Sequence, residues 1–533
     1  MGAFEVITSQ ANLTLALGAS RQSLAQLLRE YRPHWLEWVH FFCRKGIFVL
    51  PSAAFVLAAL EMGDDLQQTF MECPSSIGLV LNMWMQQDEH GRHYLSEEID
   101  STFPLTCPLL SLLSLVVGDP AGSLTLRDQL REDPLEIQCI AQTMQRRTHA
   151  LRKLLHTSVL SPTFVIRHLH ELSAVVQALS YRPEYPFEFF HSHRLLSQVS
   201  LTLNVALRVE ARTSIWLEAL GILKHLYTWI LKSKLCTGSP LKKVISAVRG
   251  GIIRVLLKAL LHVPTSFHDY AFAANFLHDI TGYVAYRSVA PWLVVMIDTE
   301  YSAMVDVCSP SPLFEQCRNE VLCAIQTNDD RRGPMIAQEM CDCVEHRGSN
   351  GGGEEGKSKR CGGCNTMAYC SDACQKTDWD LRHRQECDTL RELQLDVPIL
   401  GLELHLRARA NLAAFVEGTS LILRVNAVAA PCLGSLSTVV QFLESIKSSF
   451  GEDVPQRQRI NDYVTQMLQV RQIRLAYALF PLGLSTVHLL VRMWEDGSST
   501  LRVVGFMTVG ISECQSVNED RLWSSRGLRG SFF

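Results

Sequence analysis

Apolar residues recur at helical spacing through roughly the first 335 residues of the chain. Leu151, Leu154, Leu155 and Val159 illustrate the pattern, because positions i, i+3, i+4 and i+8 lie on one face of an α-helix. Cationic residues occupy the positions between them and suit a solvated face. Little strand-like alternation interrupts this region, so the pattern predicts a nearly all-helical domain over residues 1–335.

Proline and glycine divide this helical text into segments of ordinary helix length. Pro51, Asp119-Pro120 and Pro240 are examples of such breaks, and Lys243–Leu261 reads as one of the intervening helices. Many amphipathic helices in series are typical of armadillo or HEAT-like stacks, in which each pair buries its apolar face on its neighbours. No repeating register is visible, so an irregular helical domain stays open as the alternative.

The hydrophobic period changes from helical to about two near the carboxyl end. Every second residue from Val487 to Met493 is apolar, residues 495–498 have turn composition, and the alternation resumes towards Gly505. This predicts a β-hairpin, which needs a helix to pack against. An apolar helix face precedes it, formed by Ile460, Tyr463, Val464, Met467 and Leu468. Residues 391–533 are therefore predicted to form a small α+β module, and the whole chain is predicted to be mainly α.

Composition excludes several classes of protein. Apolar residues make up 47% of the 533 and charged residues 20%, which excludes wholesale disorder. The formal charge of -4 disfavours a dedicated nucleic-acid binder. Gly46–Leu60 and Ser101–Gly118 are the most apolar stretches, but prolines interrupt both, so we expect buried helices and no membrane span.

Seven of the 17 cysteines fall between Cys341 and Cys387, and the others are scattered. That distribution is not a disulfide framework and indicates a reducing, intracellular location in the nucleus or cytoplasm. Eight candidate metal ligands lie in this stretch: Cys341, Cys343, Cys361, Cys364, Cys370, Cys374, His383 and Cys387. Two tetrahedral zinc ions need four such donors each, and fully protein-ligated sites are structural. We expect a zinc finger over residues 336–390 that holds two structural Zn²⁺ ions, with a Gly-rich flexible insert at 348–360.

The spacing Cys-x2-Cys-x5-Cys-x3-Cys-x8-His-x3-Cys from Cys361, with Tyr369 before Cys370 and Gln375-Lys-Thr-Asp-Trp379 after Cys374, resembles the MYND zinc finger. The Asp-Trp-x3-His variant is similar to fungal-type fingers. The resemblance covers about residues 341–387 and implies interleaved sites. One ion would take Cys341, Cys343, Cys370 and Cys374, and the other would take Cys361, Cys364, His383 and Cys387.

The first ligand pair departs from the family spacing, because Cys341-Asp-Cys343 is one residue short of Cys-x2-Cys. Cys343 with His346 restores the two-residue gap and leaves Cys341 outside the site. We favour Cys341 with Cys343, since thiolate is the commoner donor in structural sites.

The resemblance also implies a protein partner, in which a proline-containing segment docks near Gln375 and Trp379. Trp379 is equally compatible with a place in the core of the finger. Positive and negative residues nearly balance between Lys357 and Glu392, so this module is not expected to bind nucleic acid.

No catalytic motif is evident. Residues 351–358 satisfy the phosphate-loop pattern, but no strand precedes them and a zinc turn follows, so no nucleotide is expected. His168 and His170 read as surface or capping histidines rather than metal ligands. We expect a non-catalytic interaction or scaffold protein. The alternative is a SET-type lysine methyltransferase with an embedded MYND finger, although no methyl-donor segment accompanies it.

Overall fold

The computed structural model describes residues 21–95, 107–180, 194–208, 213–232, 239–264, 266–304, 341–346, 359–399, 408–417, 457–470, 472–482, 485–495, 501–513 and 531–532. Two compact units emerge. One comprises Met1–Trp229, Gly250–Val255 and His262–Pro264, and the other comprises Ile230–Arg249, Leu256–Leu261 and Thr265–Phe533. The three domain boundaries inferred from composition stay a prediction.

Helices make up nearly all of the described amino-terminal part. They are α1 (Arg21–Glu30), α2 (Arg32–Lys45), α3 (Val49–Glu61), α4 (Asp64–Met71), α5 (Pro74–Met85), α6 (Pro108–Gly118), α7 (Pro120–Glu132), α8 (Pro134–His156), α9 (Pro162–Ser180), α10 (Leu195–Ala206), α11 (Thr213–Tyr227), α12 (Pro240–Arg249), α13 (Ile252–His262), α14 (His268–Thr281) and α15 (Ala290–Met304). The prediction of a mainly helical chain is confirmed.

Proline marks the beginning of many of these helices. Helices α5 to α9 each start with one, because proline has no amide hydrogen to leave unbonded and its φ suits the first turn. Asp119 caps α7 by accepting from the amides of Ala121 and Gly122, both at 2.9 Å. Pro51 lies in the first turn of α3, where it does not interrupt the helix.

The helix predicted over Lys243–Leu261 is in fact two, α12 and α13. Gly250 and Gly251 separate them, and Gly251 adopts φ +84°, which a side chain would strain. A Cβ on Gly250 would lie 2.7 Å from the carbonyl oxygen of Ser197, so the close approach to α10 requires glycine. The apolar period continues through the break and therefore concealed it.

Two cationic or titratable side chains are fully buried in the first unit. Arg147 donates to the carbonyls of Tyr94 at 2.5 Å and Trp84 at 2.7 Å, and its guanidinium lies 4.2 Å from the Trp84 ring centre. His168 is also fully buried, beside Phe164, and neither ring nitrogen has a hydrogen-bond partner. The expectation of a surface or capping role for His168 is wrong, because its helix face turns into the core.

The carboxyl-terminal part carries a sheet packed with a helix. After the two short strands β1 (Lys359–Arg360) and β2 (Ala368–Tyr369) come α16 (Asp372–Asp378), α17 (Arg384–Ile399), α18 (Arg457–Gln469), β3 (Ile473–Leu482), β4 (Ser485–Glu495), β5 (Leu501–Glu513) and β6 (Ser531–Phe532). Residues 408–417 are also helical. The order of the larger sheet is β5-β4-β3-β6, with every pairing antiparallel.

The predicted hairpin is confirmed as β4 and β5, which pair from Ser485 opposite Glu513 to Glu495 opposite Leu501. Strand β3 was not anticipated, because its run of apolar residues lacks a clear alternation. On α18, Ile460, Tyr463 and Val464 are buried as expected, whereas Leu468 is 57% exposed.

Within the described residues, no single helix is both long and apolar enough to cross a membrane. Helices α6 and α7 meet the length and composition criteria only as a pair, bent by 96°.

Candidate zinc centres

The eight predicted donors come from three local structures. Residues 341–346 form an irregular segment, residues 361–364 form a turn between β1 and β2, and α16 and α17 are parts of one continuous helical run over 372–399. Most of the predicted insert at 348–360 lies outside the described residues, but Lys359 and Arg360 are the strand β1, paired with β2.

Cys361, Cys364, His383 and Cys387 are brought together as predicted, and we call them the second zinc site. All four are buried, and their donor atoms lie within 4.8 Å of one another. The Sγ atoms of Cys361 and Cys387 are 3.8 Å apart, and Cys364 Sγ lies 3.6 Å from His383 Nε2. A zinc tetrahedron with bonds of about 2.3 Å to sulfur and 2.0 to 2.1 Å to nitrogen has edges of about 3.8 and 3.6 Å. The donors therefore fit Zn²⁺.

Cys341, His346, Cys370 and Cys374 form the other donor group, which we call the first zinc site. His346 Nδ1 lies 3.5 Å from Cys370 Sγ and 3.6 Å from Cys374 Sγ, and the two sulfurs are 3.6 Å apart. These distances again match the edges of a zinc tetrahedron. Both sites are thus Cys3His.

The favoured first ligand pair, Cys341 with Cys343, is corrected by this geometry, and so is the alternative of Cys343 with His346. Cys341 and His346 supply the two donors, and Cys343 lies outside the group. The Cys343 thiol is buried, with its sulfur 3.5 Å from Glu345 Oε2. Burial raises the pKa of Cys343 to about 12, which disfavours the thiolate that a zinc ligand requires.

The turn at Cys361–Cys364 depends on one of its two glycines. A Cβ on Gly363 would lie 2.9 Å from Cys387 Sγ, whereas a Cβ on Gly362 would meet nothing within 4 Å. Asn365 follows with φ +54°, a left-handed conformation that asparagine tolerates better than most residues. The turn thereby brings two thiols close to the donors of α17.

One helical run serves both sites. Ser371 caps its start by accepting from the amide of Cys374 at 3.2 Å, so Cys370 lies just before the helix and not within its first turn. The five residues Trp379–His383 are π-helical and join α16 to α17. Such an inserted turn shifts the helix register, and it is frequent at functional sites. After it, His383 and Cys387 share the face that meets the second zinc site.

Trp379 and Gln375, the predicted peptide contacts, lie on this same run. Trp379 is 38% exposed, and its ring centre is 5.6 Å from that of His383 in an edge contact. Leu381 beside it is 55% exposed, and Gln375 is half-buried. Trp379 therefore lies at the surface and is not a plug in the core of the finger.

Electrostatics prepare the second zinc site for metal. Burial raises the pKa of the Cys364 thiol, but its bonds with His383 and with the Thr366 amide outweigh burial and hold that pKa below its ordinary value. Burial lowers the pKa of His383, yet contacts with Cys364 and Glu386 raise it overall. Without metal, the proton thus resides on the imidazole. Zinc binding requires that proton to leave.

In the first zinc site, burial raises the pKa of both Cys341 and Cys370. Their thiolates therefore need the cation to become stable, as expected for a metal-dependent fold. The donors also supply much of the local core, where they pack with Met367, Tyr369 and Leu390.

Comparison with known proteins agrees with this geometry. Residues 341–387 match the family model of the MYND finger. No solved structure matches the chain. MYND fingers are generally protein-interaction domains. Residues 341–387 are therefore a MYND finger with two Cys3His zinc-binding sites.

Proposed function

We propose that this protein is a non-catalytic interaction scaffold whose finger docks a peptide segment of a partner protein on the surface around Trp379. We call the surface formed by Gln375, Trp379 and Leu381 the Trp379 surface. The observation that carries the proposal is the exposure of Trp379 and Leu381 on a module too small to place large apolar side chains outside without a use.

The coordination chemistry favours binding over catalysis. Each zinc site has four protein donors, so neither keeps an open position at which a water or substrate could be activated. Zinc then supplies folding energy and rigidity. A rigid support lowers the ordering cost when a peptide binds.

A proline-containing segment suits the chemistry of the Trp379 surface. The indole offers a flat apolar face, and its edge contact with His383 orients it. An extended polyproline-type segment loses little conformational entropy on docking against such an aromatic side chain. Gln375, one helical turn before Trp379, can hydrogen-bond the peptide backbone.

Because the zinc ligands are thiolates that must stay reduced, we place the protein inside the cell, in the nucleus or cytoplasm.

The test is binding of the full-length, zinc-loaded protein to an array of proline-containing peptides and proline-free controls. Trp379→Ala should abolish binding of the selected peptides while two zinc ions remain. Trp292→Ala is the matched control, because Trp292 is 40% exposed and belongs to α15 rather than to the finger. Equal loss in both variants, or no selection by the wild-type protein, would contradict the proposal. Saturable binding of S-adenosylmethionine would instead favour the methyltransferase alternative.

A further inference from the structure

Residues 341–344, which begin the finger, have all four of their carbonyl oxygens hydrogen-bonded by side chains from far along the chain. Arg492 on β4 donates to the carbonyls of Cys341 at 3.3 Å, Cys343 at 3.2 Å and Val344 at 3.0 Å. Arg459 on α18 donates to the carbonyl of Asp342 at 2.5 Å. The first zinc site is therefore held from outside the residues that match the finger family.

Arg459 also reaches the second zinc site through a carboxylate. Its guanidinium contacts Glu386 at 2.8 to 3.3 Å, and the Glu386 carboxylate lies 3.9 Å from His383 Nδ1, on the side of the ring away from the metal donor. Groups on that side of a ligating histidine orient the ring and tune its basicity. A further bond joins Arg459 to Asp378 at 2.8 Å.

These contacts are buried, which makes them energetically strict. The side chains of Arg459 and Asp378 are fully buried, and that of Glu386 is 3% exposed. Removing one partner of a buried, hydrogen-bonded ion pair leaves an uncompensated charge. Gln466 and Tyr463 on α18 add bonds to the carbonyls of Val344 and Asp342, at 2.5 and 3.4 Å.

Charge balance points the same way. A Zn²⁺ ion with three thiolates and a neutral histidine carries a net charge of -1, so each zinc site is anionic. A buried guanidinium beside the ligand segment offsets that charge, and its planar fork can serve several carbonyls at once, which a lysine cannot do.

We infer that Arg459 and Arg492 are positioning residues of the double-zinc finger, so that α18 and β4 complete the metal-binding unit, Arg492 serving the first zinc site and Arg459 both sites. The inference does not depend on the proposed peptide docking.

The test measures zinc release from the full-length protein into a chromophoric chelator. Each site is isolated in turn, the first in a Cys387→Ser background and the second in a Cys374→Ser background. Arg492→Met should speed release from the first site by about 10- to 100-fold, the range for loss of a group that supports a ligand, and leave the second site unchanged. Arg459→Met should speed release from both.

Arg391→Met is the matched control, since Arg391 lies on α17 with 54% of its side chain exposed and pairs only locally with Asp388. Release rates equal to those of this control would overturn the inference. Where a methionine variant fails to fold, Arg492→Lys keeps the charge but loses the fork, and it should still speed release.

Hydrogen exchange of the wild-type protein gives an independent readout. Coupling between two sites is reciprocal, so removal of zinc should lower amide protection in α18 and β4 as well as in the finger. Unchanged protection in both elements would contradict the inference.

Discussion

The identity of the first zinc site's fourth donor is open to a direct test with two substitutions. His346→Asn removes an imidazole whose Nδ1 lies 3.5 and 3.6 Å from the sulfurs of Cys370 and Cys374. Cys343→Ala removes a buried thiol only three residues away that lies outside the donor group. The structure predicts opposite outcomes for these two neighbouring changes.

The expected magnitude follows from sharing the zinc binding energy among four donors. Structural zinc sites bind with about 10 to 16 kcal/mol, so one donor of four accounts for about 2.5 to 4 kcal/mol. That corresponds to roughly 10²- to 10³-fold in dissociation constant. His346→Asn should thus lose the first zinc to a competing chelator, whereas Cys343→Ala should keep it and lose only about 1 kcal/mol of unfolding free energy from weakened packing.

The assay is elemental analysis of the full-length protein after equilibration with a zinc buffer. Wild-type protein and Cys343→Ala should retain two zinc ions per chain, and His346→Asn should retain one. Cys341→Ala serves as a positive control and should also retain one. A zinc content of one in Cys343→Ala together with two in His346→Asn would refute the donor assignment.

Two further predictions concern the zinc turn and the helical core. Gly363→Ala should weaken the second zinc site by about tenfold or more, because its Cβ would lie 2.9 Å from Cys387 Sγ, while Gly362→Ala should leave chelator competition unchanged; equal effects would contradict the geometry. Burial first, and the charge of Arg147 second, lower the pKa of His168 to about 3 from its ordinary 6.5. The unfolded chain therefore binds the extra proton below about pH 6.5, so folding stability falls as the pH drops towards 3. His168→Leu should remove about 1.4 kcal/mol of the loss between pH 7.5 and 5.5, measured by hydrogen exchange in α9, and a loss identical to the wild type would contradict this.

Much of the candidate site could be inferred from local spacing. Cys361 and Cys364 share a tight turn, and His383 and Cys387 are one helical turn apart, so each pair is defined by its own backbone geometry. The same holds for the amphipathic helices and for the β4–β5 hairpin, whose periodicities depend only on neighbouring residues. Composition alone likewise indicated a zinc-bearing, mainly helical chain.

Tertiary structure decided what depends on distant parts of the chain. The spacing of Cys341, Cys343 and His346 fits more than one donor pair, and only the positions of Cys370 and Cys374 select His346 over Cys343. Arg459 and Arg492 carry no motif, since their carbonyl and carboxylate partners lie 73 to 151 residues away. Local pattern reports the conformation of a segment, whereas donor choice and buried charge pairing depend on which segments meet, and that was decided by packing of the whole carboxyl-terminal unit.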